Sequence, residues 1–222
     1  LSLAQGNALT ILNSDDTYSL SRIDVLMQTA DKTQASWLFS GIKVIDDTGS
    51  QRAFSEFAIE LEISADFAAS YPSVSFALLK KNIAVTTGNL FFSREIYNQV
   101  GEFTNLRYCH DWDFALQACL ISEPILVNQP LYNYRLHGSN SFSNLKVEQH
   151  LEPQIVYWRY FSACRAGNCK NPNAPWSANW PVFFDKWIAE DYGLNWVFSM
   201  VGNHLAKYDK IAQSINFSVN RQ

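Results

Sequence analysis

Short apolar runs alternate with stretches of helical periodicity over residues 8–134, and that alternation admits few architectures. Strands patterned for burial, each followed by an amphipathic helix, place the chain in the α/β class, with helices flanking a sheet. Ala8-Leu9-Thr10-Ile11-Leu12 reads as a buried strand that runs straight into an acidic turn, Asn13-Ser14-Asp15-Asp16. Ser21 stands where a helix cap belongs, with Asp24 at the capping-box position and Ile23, Leu26, Met27 and Ala30 at helical spacing. Two strands, 36–40 and 42–45, lead into Asp46-Asp47-Thr48-Gly49, whose aspartates are turn formers rather than ligands.

Residues 53–71 carry no clear pattern; a short helix over 78–82 then precedes a strand expected at 83–87. Arg94 opens another short helix, which Gly101 closes. The helix over 111–121 is clearer, because Trp112, Phe114, Ala115, Ala118, Cys119 and Ile121 give it a broad apolar face. Strands at 125–127 and 131–134 follow, broken by Pro130. Beyond about residue 143 the pattern turns to long helices, 147–166 and 183–205, joined by a loop rich in Asn, Pro and Trp. A boundary near residue 145 separates an α/β part, 1–145, from a helical extension, 146–222.

Composition removes several function classes. With 47% apolar and only 17% charged residues the chain has the means to bury a core, which excludes a disordered tail. A net charge of -4 and 17 scattered Lys and Arg residues leave no basic footprint for nucleic acid. No apolar run approaches the roughly 20 residues of a membrane span, and no signal segment opens the chain, so a cytoplasmic protein is expected, with peripheral association at the inner membrane face as an option. Cys109, Cys119, Cys164 and Cys169 read as reduced; Cys164 and Cys169 are spaced for a local bridge or half of a metal site. Asn216-Phe217-Ser218 fits a glycosylation sequon of the kind that arises by chance.

Three clusters could carry chemistry. Asp15 and Asp16 lie just past a strand end, where open α/β sheets bind ligands, and their hard oxygens suit Mg²⁺ or Mn²⁺; a plain polar turn needs the same residues. His110-Asp111-Trp112-Asp113 opens a helix, so Asp111 is placed either to cap it or to accept a proton from a hydroxyl. Tyr134-Arg135-Leu136-His137-Gly138-Ser139-Asn140-Ser141 follows a strand, with Arg135 and His137 suited to phosphate or metal. Thr86-Thr87-Gly88-Asn89 adds a tight backbone segment that is either a ligand approach or a bend.

In this order, Leu12-Asn13-Ser14-Asp15-Asp16, Thr87-Gly88-Asn89, His110-Asp111-Trp112-Asp113 and Tyr134-Arg135-Leu136-His137 resemble glycosyltransferase family 2, the large inverting family with a GT-A fold. The text between the motifs, Phe91-Phe92-Ser93-Arg94-Glu95, Val100-Gly101-Glu102-Phe103 and Pro130-Leu131-Tyr132, is similar too, and the likeness covers roughly residues 6–142. It implies a partial GT-A, Rossmann-like mixed sheet with flanking helices, followed by a helical C-terminal appendage. It further implies a nucleotide-sugar donor, a glycan or lipid-linked acceptor, Mg²⁺ or Mn²⁺, and a role in polysaccharide or bacterial cell-surface glycan synthesis.

By that resemblance Asn13-Ser14-Asp15-Asp16 takes the place of the DXD motif, with Asn13 where the family has its first aspartate; Asp15, Asp16 and His137 would hold the metal, and Asp15, Asp16, Arg135 and His137 the diphosphate. Asp111 matches the general base of the family's Glu-Asp motif, and His110 replaces the Glu. Gly88, Asn89, His110 and Trp112 fall on the acceptor or donor-sugar site. The βα units that precede the DXD motif in this family, holding base and ribose, do not precede Asn13 here; the expectation is that another part of the protein or a second chain supplies them. Two other classes compete: a noncatalytic glycan-binding or scaffolding module that keeps the same fold, and a metal-dependent phosphohydrolase built on the same carboxylates.

Overall fold

A computed structural model describes residues 1, 3–51, 56–137, 145–181 and 184. Gly138, Ser139, Asn140 and Ser141, the helix expected over 183–205 apart from Phe184, and the Asn216 sequon lie outside the described residues. The chain runs β1 (Ala8–Thr10), β2 (Thr17–Tyr18), α1 (Arg22–Thr33), β3 (Trp37–Ile45), α2 (Glu56–Glu62), α3 (Ser64–Ala69), α4 (Val74–Lys80), β4 (Phe91–Ser93), α5 (Arg94–Val100), α6 (His110–Cys119), β5 (Ile125–Arg135) and α7 (Lys146–Arg165). The strands form one mixed sheet in the order β1-β4-β3-β5-β2. Only β3 and β5 pair in parallel; the other neighbours are antiparallel.

At the centre of the sheet, β3 is buried along all but one of its nine residues, as a strand covered on both faces must be. Two strands were expected there and two more around Pro130; the structure has one continuous strand in each place. The reason is a paired irregularity. The register of β3 against β5 shifts on both sides of Gly41, which lies opposite Pro130. A Cβ on Gly41 would come within 3.0 Å of the Gln129 carbonyl oxygen, so glycine lets the bulged strand approach, and Pro130, which has no N–H to give, sits where the ladder is already interrupted.

Two other expectations change. Ser21 is already helical (φ -85, ψ -4) and makes no side-chain cap, so there is no capping box; its hydroxyl lies 3.3 Å from that of Ser19. The buried face of α1 is also rotated: Arg22 and Leu26 are fully buried, whereas Ile23 and Met27 are exposed. Residues 83–87 form no strand. Asn82 Oδ1 accepts from Val85 N, Asn89 Nδ2 donates to Ala84 O, and the chain turns through Val85 at φ 71 into a 3₁₀ turn, Thr87–Asn89. A β-branched residue in the left-handed region is strained, and it stands on the wall of the cleft described below.

The main core joins β3, β4, α4, α6 and α7 through Trp37, Phe39, Leu78, Phe92, Phe114, Tyr160 and Phe161. Phe103 stacks on Phe114 at 4.4 Å between centroids. The first turn of α6 is tethered to α7 by polar contacts as well. Glu152 accepts from the backbone N–H groups of Arg107, Tyr108 and Cys109 at 2.8 to 2.9 Å, and Arg159 Nε donates to Asp113 Oδ1 at 2.8 Å. Residues before and after position 145 therefore share one core and one hydrogen-bond network around the start of α6.

Candidate active site

The acidic turn joins β1 to β2, and its two aspartates end up in different environments. Asp16 is buried: Oδ1 accepts from Arg135 N at 2.7 Å, while Oδ2 accepts from the Tyr132 hydroxyl at 2.6 Å and from Asn13 Nδ2 at 3.1 Å. Burial pushes its carboxyl above the ordinary value, and those three donors pull back against it. Asp15 is exposed, with Oδ2 3.1 Å from His137 Nε2. Asp16 thus pins the turn to β5, and Asp15 presents the available charge.

Behind Asp16 lies a buried layer that sequence reasoning missed. Tyr132 and Tyr18 pack at 5.6 Å, and the Arg22 guanidinium sits over both rings, donating to Ser40 Oγ and Asn89 O. Gly88 fits beneath Tyr132 with no room to spare. A Cβ there would lie 2.0 Å from the Tyr132 hydroxyl oxygen, so Gly88→Ala should force Tyr132 off Asp16 and lose about 1–3 kcal/mol of stability, read as a lower urea midpoint at unchanged slope. An unchanged midpoint would show that this layer has slack.

The opposite wall comes from the N-terminal turn of α6. Cys109 precedes the helix without a side-chain cap, and Glu152 holds the three preceding N–H groups from α7. Asp111 is buried there, accepting from Trp112 N at 2.7 Å and from the Asn82 side chain. Desolvation pushes its carboxyl up, with neighbouring His110 acting in the other direction. His110 Nε2 lies 3.0 Å from Thr87 Oγ1. Burial and the nearby carboxylates push the Cys109 thiol up to about 12, leaving it a neutral neighbour rather than a nucleophile.

Between the walls is an open cleft of about 670 Å³. Asp15, Asp16 and His137 line one side and His110, Asp111 and Trp112 the other, so residues up to 122 positions apart in sequence meet in one place. Four expected residues make their main contacts within the protein. Asn89 is fully buried, its amide spent on Ser40 and Ala84, and Gly88 lies under Tyr132; Thr86 and Thr87 face the cleft instead. Arg135 turns its guanidinium to the backbone carbonyls of Asp15 and Asp46, bracing the acidic turn. The Trp112 indole donates to Leu78 O and meets Tyr157 edge-on, so its ring is largely committed to the core.

Among the described residues no three His, Cys, Asp or Glu side chains form a set that could hold a metal ion. Mg²⁺ and Mn²⁺ are commonly bound by one or two protein ligands, with substrate phosphates and water completing the shell. Asp15 and His137 fit that arrangement. They do not make a resident all-protein metal centre.

Fold and site together define a mixed α/β protein with a two-walled, charged cleft. No family model matches the sequence, and no curated protein matches it. Among solved structures, the chain is similar to residues 1–349 of S. aureus TarS at 12% identity and a TM-score of 0.45, covering 72% of this chain and 56% of that one. Against TarS in complex with UDP-GlcNAc the values are 12% and 0.49, covering 93% and 61%. The chain spans less than two thirds of the length of either. Among the described residues no helix is long and apolar enough to cross a membrane.

Proposed function

We propose that this chain is the metal-side and acceptor-side portion of an inverting glycosyltransferase of the family 2 type, acting on a nucleotide-sugar donor and a glycan or lipid-linked hydroxyl. One observation carries the reading: a single cleft unites the acidic turn and His137 with Asp111, the groups that the ordered sequence motifs single out.

Asp111 accepts the proton of the acceptor hydroxyl as its oxygen attacks the anomeric carbon. The bond from that carbon to the diphosphate breaks on the opposite face, so a single displacement inverts the centre. Asp15 and His137 are the residues that would hold a divalent ion, which when bound neutralises charge on the departing diphosphate. Asp16 keeps Asp15 in position through Tyr132 and Arg135.

Calorimetry of the full-length protein with a panel of nucleoside diphosphates, with and without Mn²⁺, tests this. Binding should need the metal, and Asp15→Ala should weaken it by at least the roughly 10–100-fold seen when lesser metal-site partners are lost. Oligosaccharide binding without any nucleotide binding would favour the glycan-binding module. Phosphate release with no acceptor present would favour a hydrolase.

A further inference from the structure

At the far end of α6 from Asp111, about 15 Å away along a helix of this length, two thiols meet outside the cleft. The C-terminus of α7 closes in a Schellman turn: Gly167, at φ 80, donates its N–H to Cys164 O, and Asn168 donates to Ala163 O, each at 3.0 Å. That reversal carries Cys169 back alongside Cys164. Cys164 is buried in the core, while Cys169 is half-buried with a face to solvent. Asn179 Nδ2 lies 3.7 Å from Cys169 Sγ, close enough to donate to a thiolate; the Cys164 thiol also hydrogen-bonds to it, and in its protonated form Cys169 donates to Asn171 O at 3.6 Å.

We propose that Cys164 and Cys169 form a redox-active dithiol, a modification site that small disulfides convert to an intramolecular disulfide in the folded protein. The arrangement divides the labour between an attacking and a resolving sulfur. Hydrogen bonding from Cys164, and then from Asn179, holds the Cys169 thiol down to about 7 against the effect of burial, so a large part of it is thiolate at neutral pH. Burial and the neighbouring Cys169 push Cys164 well up, so it stays protonated until called on. Cys169 attacks one sulfur of a disulfide RSSR, expelling RS⁻ and forming a mixed disulfide. Cys164 then attacks Cys169 Sγ, breaking the mixed disulfide; its proton passes to the second departing RS⁻, the first RS⁻ takes from solvent the proton that Cys169 shed, and the pair is oxidised as RSSR is reduced to two RSH.

The site has a path to the rest of the fold. The chain just after Cys169 caps α6: the N–H groups of Lys170 and Asn171 both donate to Leu120 O, and Asn171 Nδ2 donates to Cys119 O and to Glu123 Oε2. Glu123 in turn accepts from Ser75 at the start of α4, the helix that leads into the cleft wall at Asn82. A bridge at residue 169 would therefore act on the element that closes the helix carrying Asp111.

The test treats the native full-length protein with oxidised glutathione, blocks remaining thiols with iodoacetamide, and maps products by mass after trypsin, which cuts between the two cysteines at Arg165. The expected product is a Cys164–Cys169 bridge with a mass loss of two hydrogens, and Cys169 reacting at least about tenfold faster than buried Cys109 or Cys119. In Cys164→Ala the glutathione should remain on Cys169. Should that variant fail to fold, the wild-type peptide map decides alone. Persistent glutathione on Cys169 in the wild type, earlier loss of Cys109 or Cys119, or no thiol loss short of unfolding would each overturn the proposal.

Discussion

Asp111→Asn is expected to lower kcat by roughly 10²–10⁴-fold, the range for loss of a positioned general base, while leaving metal-dependent nucleotide binding intact. The asparagine keeps an oxygen for Trp112 N and matches the carboxylate in shape, so the change removes a proton acceptor and little else. Burial makes Asp111 more basic than an ordinary carboxylate, with His110 only partly offsetting the effect, so kcat/KM should fall as pH drops through a value above 3.8. The same shift sets the sign of a second measurement. A carboxyl whose folded pKa lies above its unfolded one favours the fold at pH below the unfolded value, and that contribution is lost as pH rises through the folded value. At neutral pH the buried charge is therefore a burden on the fold, and the asparagine variant should be as stable as wild type or more so. Loss of activity together with a lower Tm would point to a structural defect; near-normal turnover would remove Asp111 from the mechanism.

How much of this could be read from residues alone depended on how local the cause was. The α/β alternation, the acidic turn, the turn at Asp46 and the helices at Arg94, His110 and Lys146 follow from periodicity and caps, which act over a few positions. The joined strands did not, because Pro130 and Gly41 each look like breaks until they are placed opposite one another. Nor did the strained turn at Val85, whose backbone is satisfied by Asn82 and by Asn89, itself anchored on a distant strand at Ser40. At the site the pattern repeats. Asp15, Asp16, Asp111 and His137 each have a bland local reading and stand out only through the order of their motifs, and they do line one cleft. Arg22, Tyr132 and Glu152 carry no local signal: a buried arginine reads as a surface helix residue, a strand tyrosine as core, and a helix glutamate as solvated. For Arg135 and Asn89 the sequence shows polar residues beside a motif, while the structure shows hydrogen bonds to the carbonyls of Asp15 and Asp46 and to Ser40 that no local pattern announces.

Glu152→Ala should unfold at markedly lower urea concentration, losing about 2–4 kcal/mol, and should lower kcat as well. Among the described residues the glutamate is the acceptor for the N–H groups of Arg107, Tyr108 and Cys109, and it is itself buried in α7. Alanine leaves three donors behind, and each buried unpaired donor costs about 1–3 kcal/mol; the total falls short of the full sum because Arg107 and Tyr108, both exposed, can turn to water, whereas Cys109 cannot. Glutamine should be milder, as its one carbonyl oxygen can keep the bonds to Tyr108 and Cys109 while its amide faces Arg107 N. The neighbouring ion pair supplies the control. Arg107 NH1 and Glu148 Oε1 are 2.6 Å apart but exposed on the arginine side, so Glu148→Gln should stay within about 0.5 kcal/mol of wild type. The effect on kcat follows from what the three N–H groups precede, namely His110 and Asp111 in the first turn of α6. If Glu152→Ala matched Glu148→Gln in both stability and turnover, α7 would be an attachment to α6 and not part of what positions Asp111.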